Sequence, residues 1–301
     1  TPPPLIALGA SVNLHSAAGV GNAMGAIYTA FKNQTPLVIV AGQQYRALHP
    51  FDPYLFSRQV TELPRPYVKY CIEPARAQDV PLAIARAWQT AMQHPRGPVM
   101  VSVPAGDWDQ PCAAPPRLAG YRDIRPAADG IDALRDAIGK SERIAIVVGA
   151  AVDRDGAWEQ VVRLAEACQA GVFAAPMSAR GSFPEHHALF RGFLPAAGAQ
   201  LRERLAGHDL VLVVGAPAFA YHVPRGTEGS HVPEGARLAV LTDDPEAAAS
   251  VPEGLSVLGG IRLALEDLLQ DLLQPPRHAP APRPAPPEVA ATAPPSTASV
   301  L

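Results

Sequence analysis

Cysteine is scarce in this chain: Cys71, Cys112 and Cys168 are the three present in 301 residues. They are odd in number and far apart, which excludes a closed disulfide framework and C-x-x-C metal spacing, so a reducing cytoplasm is the expected compartment. Charge is sparse too, at 18% of residues with a net charge of −3. Such a balance gives no basic footprint for nucleic acid or for an anionic membrane. No apolar run approaches the ~20 residues that a membrane-spanning helix requires. The start shows no charged n-region and no cleavage pattern. It also lacks methionine: Thr1 and three prolines lead straight into strand-like sequence. The chain reads as the middle of something longer.

What is present suits a core-forming α/β protein of about two domains, with 48% hydrophobic residues. Pro36–Gly42 and Pro98–Pro104 are short continuous apolar runs, as expected of strands buried on both faces. Between them, Val80, Ile84, Ala87, Trp88, Ala91 and Met92 mark one face of a helix that stops before Pro95. Residues 49–66 are irregular and rich in proline and aromatics, which suits an excursion near a site. A proline- and charge-rich stretch from Asp107 to Pro126 then separates a second series. Its strands are Arg143–Gly149, Gly171–Ala175, Asp209–Gly215, Arg237–Thr242 and Leu255–Leu258. Its helices are marked by Trp158 to Cys168 and by Ile261 to Leu272. The alternation predicts two doubly wound parallel-sheet domains. Residues 1–115 form the first and 120–274 the second. The proline- and alanine-rich residues 275–301 read as a linker to a further domain.

The stretch from Asn13 to Gly25 is where chemistry is expected. His15 stands where an apolar run stops, and Gly19, Gly21 and Gly25 lie within the helical pattern of Val20, Met24, Ile27 and Phe31. A dinucleotide fingerprint is refused, because Met24 takes the place of its third glycine. Two readings stay open: a tight turn whose histidine caps local backbone, or a histidine facing a ligand. The small-residue turns at Gly149 and Gly215 fall at the ends of strands, where open α/β sheets line their crevice. Glu185-His186-His187 has no third ligand at fixed spacing, which argues against a metal. Ser16 lacks the G-x-S-x-G elbow of a nucleophile.

The string Asn13-Leu14-His15-Ser16-Ala17-Ala18-Gly19, with Gly21-Asn22-Ala23-Met24-Gly25 and Ala41-Gly42-Gln43-Gln44, resembles the benzoylformate decarboxylases. These are a family of thiamine diphosphate (ThDP) enzymes. Leu63-Pro64-Arg65-Pro66, Asp107-Trp108-Asp109, Gly215-Ala216-Pro217 and Tyr221-His222 extend the likeness to about residues 12–273. The resemblance implies part of a pyrimidine-binding domain followed by a whole middle domain. The family's two active-site histidines correspond to His15 and His222. Imidazole titrates near neutrality and can protonate a carbanion-like carbon or take a proton from an alkoxide. Gly19, Gly21 and Asn22 are expected to lie at the cofactor, and Tyr54 and Leu55 at the substrate ring. Tyr54 stands where the family has an aliphatic residue.

The same resemblance implies a small aromatic 2-oxo acid as substrate, ThDP with Mg2+ as cofactors, and a homo-oligomer, a dimer of dimers, as the assembly. The family's activating glutamate has no counterpart before Glu62, and Gly106-Asp107 continues to Trp108 rather than to the glycine of a metal signature. This chain by itself is therefore expected to be inactive, with metal and diphosphate held on a further domain. An acetolactate-synthase-like carboligase, or a non-catalytic α/β module that binds a nucleotide or partner, are the alternative functions.

Overall fold

The computed structural model describes residues 9–116, 118–219, 221 and 232–272. In the first body, β1 (Ala10–His15), α1 (Ser16–Lys32) and β2 (Leu37–Gln43) are followed by a long irregular excursion. Then come β3 (Cys71–Ile72), α2 (Val80–Met92) and β4 (Pro98–Pro104). The sheet is parallel throughout, in the order β1-β2-β4-β3. Alternation along the strands divides its two faces. Val99, Val101 and Val103 pack with Ala83, Ala87 and Ala91 of α2, while Met100, Ile39 and Ala41 pack with Val20 and Ile27 of α1.

The second body runs α3 (Ala128–Gly139), β5 (Ile144–Val148), α4 (Ala150–Arg154), α5 (Trp158–Cys168), β6 (Gly171–Ala174), β7 (Phe190–Phe193), α6 (Gly198–Leu205), β8 (Leu210–Val214), β9 (Arg237–Thr242), α7 (Pro245–Ala249), β10 (Leu255–Leu258) and α8 (Ile261–Gln270). Its parallel sheet has the order β10-β9-β8-β5-β6-β7. The chain thus builds outward from β5, returns, and builds outward the other way from β8. Two buried clusters cover its faces, which is why β5 and β8 are apolar at every position. No helix among the described residues is long and apolar enough to cross a membrane.

Polar contacts join the two bodies. His94, in the turn before β4, places Nδ1 2.8 Å from Asp243 and Nε2 3.7 Å from Asp155. Arg96 donates to the Arg154 carbonyl at 2.8 Å, and Gln34, just after α1, donates to Asp244 at 2.7 Å. The His94 and Asp243 side chains are 3% and 2% exposed. These contacts set the starting ends of the first sheet's strands over the finishing ends of the second sheet's. Burial pushes the Asp243 carboxyl up, but the hydrogen bond from His94 and the charge of Arg154 pull it net below the usual carboxylate range.

Replacing Asp243 with alanine leaves His94 and Arg154 buried without their acceptor, and is expected to cost about 3 kcal/mol. Because the folded-state pKa is depressed, this stabilisation is present above the ordinary carboxylate pKa of about 4 and is lost as pH falls through the lower folded value. Urea unfolding from pH 7 down to pH 3 should show the parent converging on Asp243→Asn below about pH 4.

Candidate active site

Strand β1 ends at His15 and α1 begins at Ser16, so no loop separates them. Ser16 makes the turn alone, with a φ of 52°. A non-glycine residue in that region persists where its surroundings over-determine it, and Ser16 is 1% exposed. The turn leaves His15 exposed at the carboxyl end of the sheet. Its side chain does not cap α1, which removes the backbone-capping reading. The imidazole has no hydrogen-bond partner among the described residues.

His15 opens onto a pocket of about 320 Å³ lined also by Leu14, Gly42, Gln43, Val103, Ala105 and Trp108. Register brings these together: His15 stands opposite Gly42, and Gly42 opposite Val103. A Cβ built on Gly42 would lie 3.5 Å from His15 Nδ1, so one edge of the ring rests against Gly42. The pocket therefore pairs one free base with apolar and aromatic walls at the finishing ends of β1, β2 and β4. A flat heterocycle fits such walls. The lining has no carboxylate for a metal-bound diphosphate.

The other expected site residues are placed differently. Gly19 packs against the end of β1, where a Cβ would come within 3.4 Å of Leu14. Gly21 and Asn22 are exposed on α1. Tyr54 is 89% and Leu55 42% exposed. None of these five lines the His15 pocket. His222 lies outside the described residues. His187 contacts Glu166 at 3.3 Å and accepts from the Leu189 amide. Cys71 is no nucleophile, since burial pushes its thiol up to about 11.

A second cavity, of about 460 Å³, lies between the bodies at the finishing ends of the second sheet. The turns at Gly149 and Gly215 line it. Their glycines are required by each other's backbone: a Cβ on Gly149 would meet Ala216 at 2.5 Å, and Gly215 has a φ of 67°. Asp243, at the finishing end of β9 and in the lining of this cavity, is taken by His94 and Arg154. Tyr221 lines this cavity with its hydroxyl buried and without a partner, and burial raises its pKa. The cavity and the His15 pocket sit at opposite ends of the first sheet, whose seven-residue β2 spans roughly 20 Å.

Residues 131–268 match the central domain of thiamine pyrophosphate enzymes. The benzoylformate decarboxylase of Pseudomonas aeruginosa is 43% identical over 95% of this chain, which spans 54% of that protein. The crystal structure of benzoylformate decarboxylase from Polynucleobacter necessarius superposes with a TM-score of 0.90 at 36% identity, over 97% of this chain and 55% of the other. The thiamine diphosphate-dependent 4-hydroxybenzoylformate decarboxylase of Rhodococcus jostii RHA1 does so at 0.85 and 38%, over 94% and 54%. Acetolactate synthase large subunits match at lower identity. The chain is thus a relative of the thiamine diphosphate-dependent carboxy-lyases of the benzoylformate decarboxylase kind, and it spans about half the length of those it matches.

The turn that aims His15 is the local feature most sensitive to sequence. Ser16→Val, a β-branched residue at positive φ, is expected to lower stability by about 2 kcal/mol. Ser16→Gly should stay within about 1 kcal/mol of the parent. Urea unfolding of both variants checks the pair of outcomes.

Proposed function

We propose that this chain supplies the histidine-bearing pocket of a thiamine diphosphate-dependent enzyme that decarboxylates an aromatic 2-oxo acid, benzoylformate or a close analogue, to an aldehyde and CO2. The observation that carries the reading is the unpartnered imidazole of His15 at the mouth of an apolar pocket. It is supported by the 43% identity to a benzoylformate decarboxylase. ThDP, when bound, supplies the electron sink that takes up the charge left by CO2. The chain's own residues orient, exclude water and move protons. With Nδ1 against Gly42, Nε2 of His15 is the atom that gives a proton to carbon or takes one from oxygen. Leu14, Val103 and Trp108 supply the dry walls in which that transfer runs. Gly21 and Asn22 then serve the cofactor from the exposed face of α1 and Gly19 from its junction with β1, none of them from inside the pocket. In this reading Mg2+ and the diphosphate are held outside the His15 pocket, whose lining has no carboxylate.

His222 takes the second proton-transfer role in this reading. Tyr221, its neighbour in sequence, lines the cavity at the far end of the first sheet from His15. That separation favours a site built from two copies of the protein, one giving His15 and the other His222, and so a homo-oligomer, with a dimer of dimers as its form. Cytoplasmic location agrees with three free thiols.

In a catalytically active polypeptide that contains this chain, His15→Ala should lower turnover of benzoylformate by ~10²-fold or more while ThDP affinity changes little. Turnover within a few-fold of the parent would overturn the assignment. This chain alone should bind ThDP with Mg2+ weakly, because the metal cradle is not among its described residues. Saturable calorimetric binding in the micromolar range would contradict that.

A further inference from the structure

Residues 44–57 leave the end of β2 beside His15, carry Tyr54 and Leu55 outward, and return. Little regular structure holds them: a 3-10 turn at Arg46–Phe51, with left-handed residues at Asp52 (φ 50°) and Leu55 (φ 68°). Phe51 is 78% exposed; within the excursion His49 bonds the Gln44 carbonyl at 2.8 Å and its ring meets that of Phe56, and Arg58 pairs with Asp52. Gln43 closes its base. It is the last residue of β2, 4% exposed, and lines the His15 pocket. Its Oε1 accepts from the Gln44 amide at 2.9 Å and from the Ser57 amide at 3.1 Å. Its Nε2 donates to the Ser57 carbonyl at 2.8 Å. One side chain therefore grips both backbone groups of Ser57, as a partner strand would, and closes the two ends of the excursion on each other.

A second tie runs from Arg46, which donates to both carboxylate oxygens of Asp107 at 3.0 and 2.6 Å and to the Pro74 carbonyl. Asp107 lies between Ala105 and Trp108, both of them pocket walls. The excursion is thereby fastened to the pocket at β2 and again just after β4. Gln43 has both Oε1 lone pairs engaged and one Nε2 proton used, which leaves a single N–H for anything else. That suits a group acting through the loop rather than on substrate.

We propose that Gln43 is a positioning residue that sets substrate selection, by closing the base of the 44–57 loop against the His15 pocket, to which the same loop is tied again through Arg46 and Asp107. This rests on the decarboxylase reading, and the test has two parts. Hydrogen exchange on this chain should show the Gln44 and Ser57 amides exchanging about ten- to hundred-fold faster in Gln43→Ala, as loss of one or two buried hydrogen bonds requires. Amides of β2 and β4 should stay protected.

In an active polypeptide containing the chain, Gln43→Ala should raise KM for benzoylformate about ten-fold, by more than it lowers kcat, and narrow the preference for benzoylformate over pyruvate. Gln43→Glu keeps an acceptor for both amides and should recover much of each effect. Unchanged exchange at Gln44 and Ser57 overturns the proposal. So does exchange that rises equally through β2 and β4, or a substrate preference that stays fixed while the loop is released. A parent without decarboxylase activity would overturn the functional reading and this proposal with it, whereas an active parent with an unaltered preference strikes this proposal alone.

Discussion

The buried hydrogen bond from His94 to Asp243 decides where chemistry can happen in this protein. Asp243 sits at the finishing end of β9, in the crevice that open α/β sheets offer to ligands. His94 belongs to the turn that feeds β4. Joining them, with Gln34 on Asp244 and Arg96 on the Arg154 carbonyl, lays the first sheet over the second sheet's crevice. The carboxylate that Asp243 brings to that crevice is occupied by the protein itself. The finishing ends of β1, β2 and β4 remain open, and that is where His15 stands.

Much of this was legible because parallel sheets write themselves as unbroken apolar runs. The expected helix from Val80 to Met92 and the strands Pro98–Pro104, Arg237–Thr242 and Leu255–Leu258 have the observed bounds. Pro36–Gly42 and Arg143–Gly149 shift by a residue at each end. Six elements went unread, the short helices α4, α6 and α7 among them, and the other three for separate reasons. With two residues, β3 is too short for any period to appear. In β7, Gly192 at a φ of 96° and the polar Arg191 interrupt the apolar run, and its register to β6 shifts there. Helix α3 has Ile131, Leu134 and Ile138 at helical spacing, but it follows a proline- and charge-rich stretch whose composition hides the pattern.

The site was legible only at its centre. His15 announces itself by closing an apolar run ahead of glycines. Gln43, Val103 and Trp108 do not, because they meet it through strand register across residues distant in sequence. Gln43 in particular reads as a polar residue at the end of a strand, and nothing nearby in sequence tells that Ser57 is its partner. The left-handed turn at Ser16 is likewise unreadable, since serine has no preference for it. Gly149 and Gly215 left two readings open, a crevice lining or a tight turn alone; they line a cavity, and backbone crowding between the two turns is what requires glycine there.

The remaining histidines explain why His15 stands apart. His49 bonds the Gln44 carbonyl, His94 bonds Asp243, His187 meets Glu166, and His208 bonds the Leu205 carbonyl. In each case one ring nitrogen is committed to a contact within the fold. Among the described residues, His186 is also without such a bond, but it is exposed beside Glu185, with no enclosing wall to exclude water. His15 alone among them combines a free imidazole with an apolar pocket and a buried, strained support at Ser16. A proton-transferring base needs both conditions: freedom at the nitrogen and rigidity at the backbone. The strand-to-helix junction at residues 15 and 16 supplies them together: the ring of His15 does not cap the helix, and Ser16 behind it is buried in a left-handed turn.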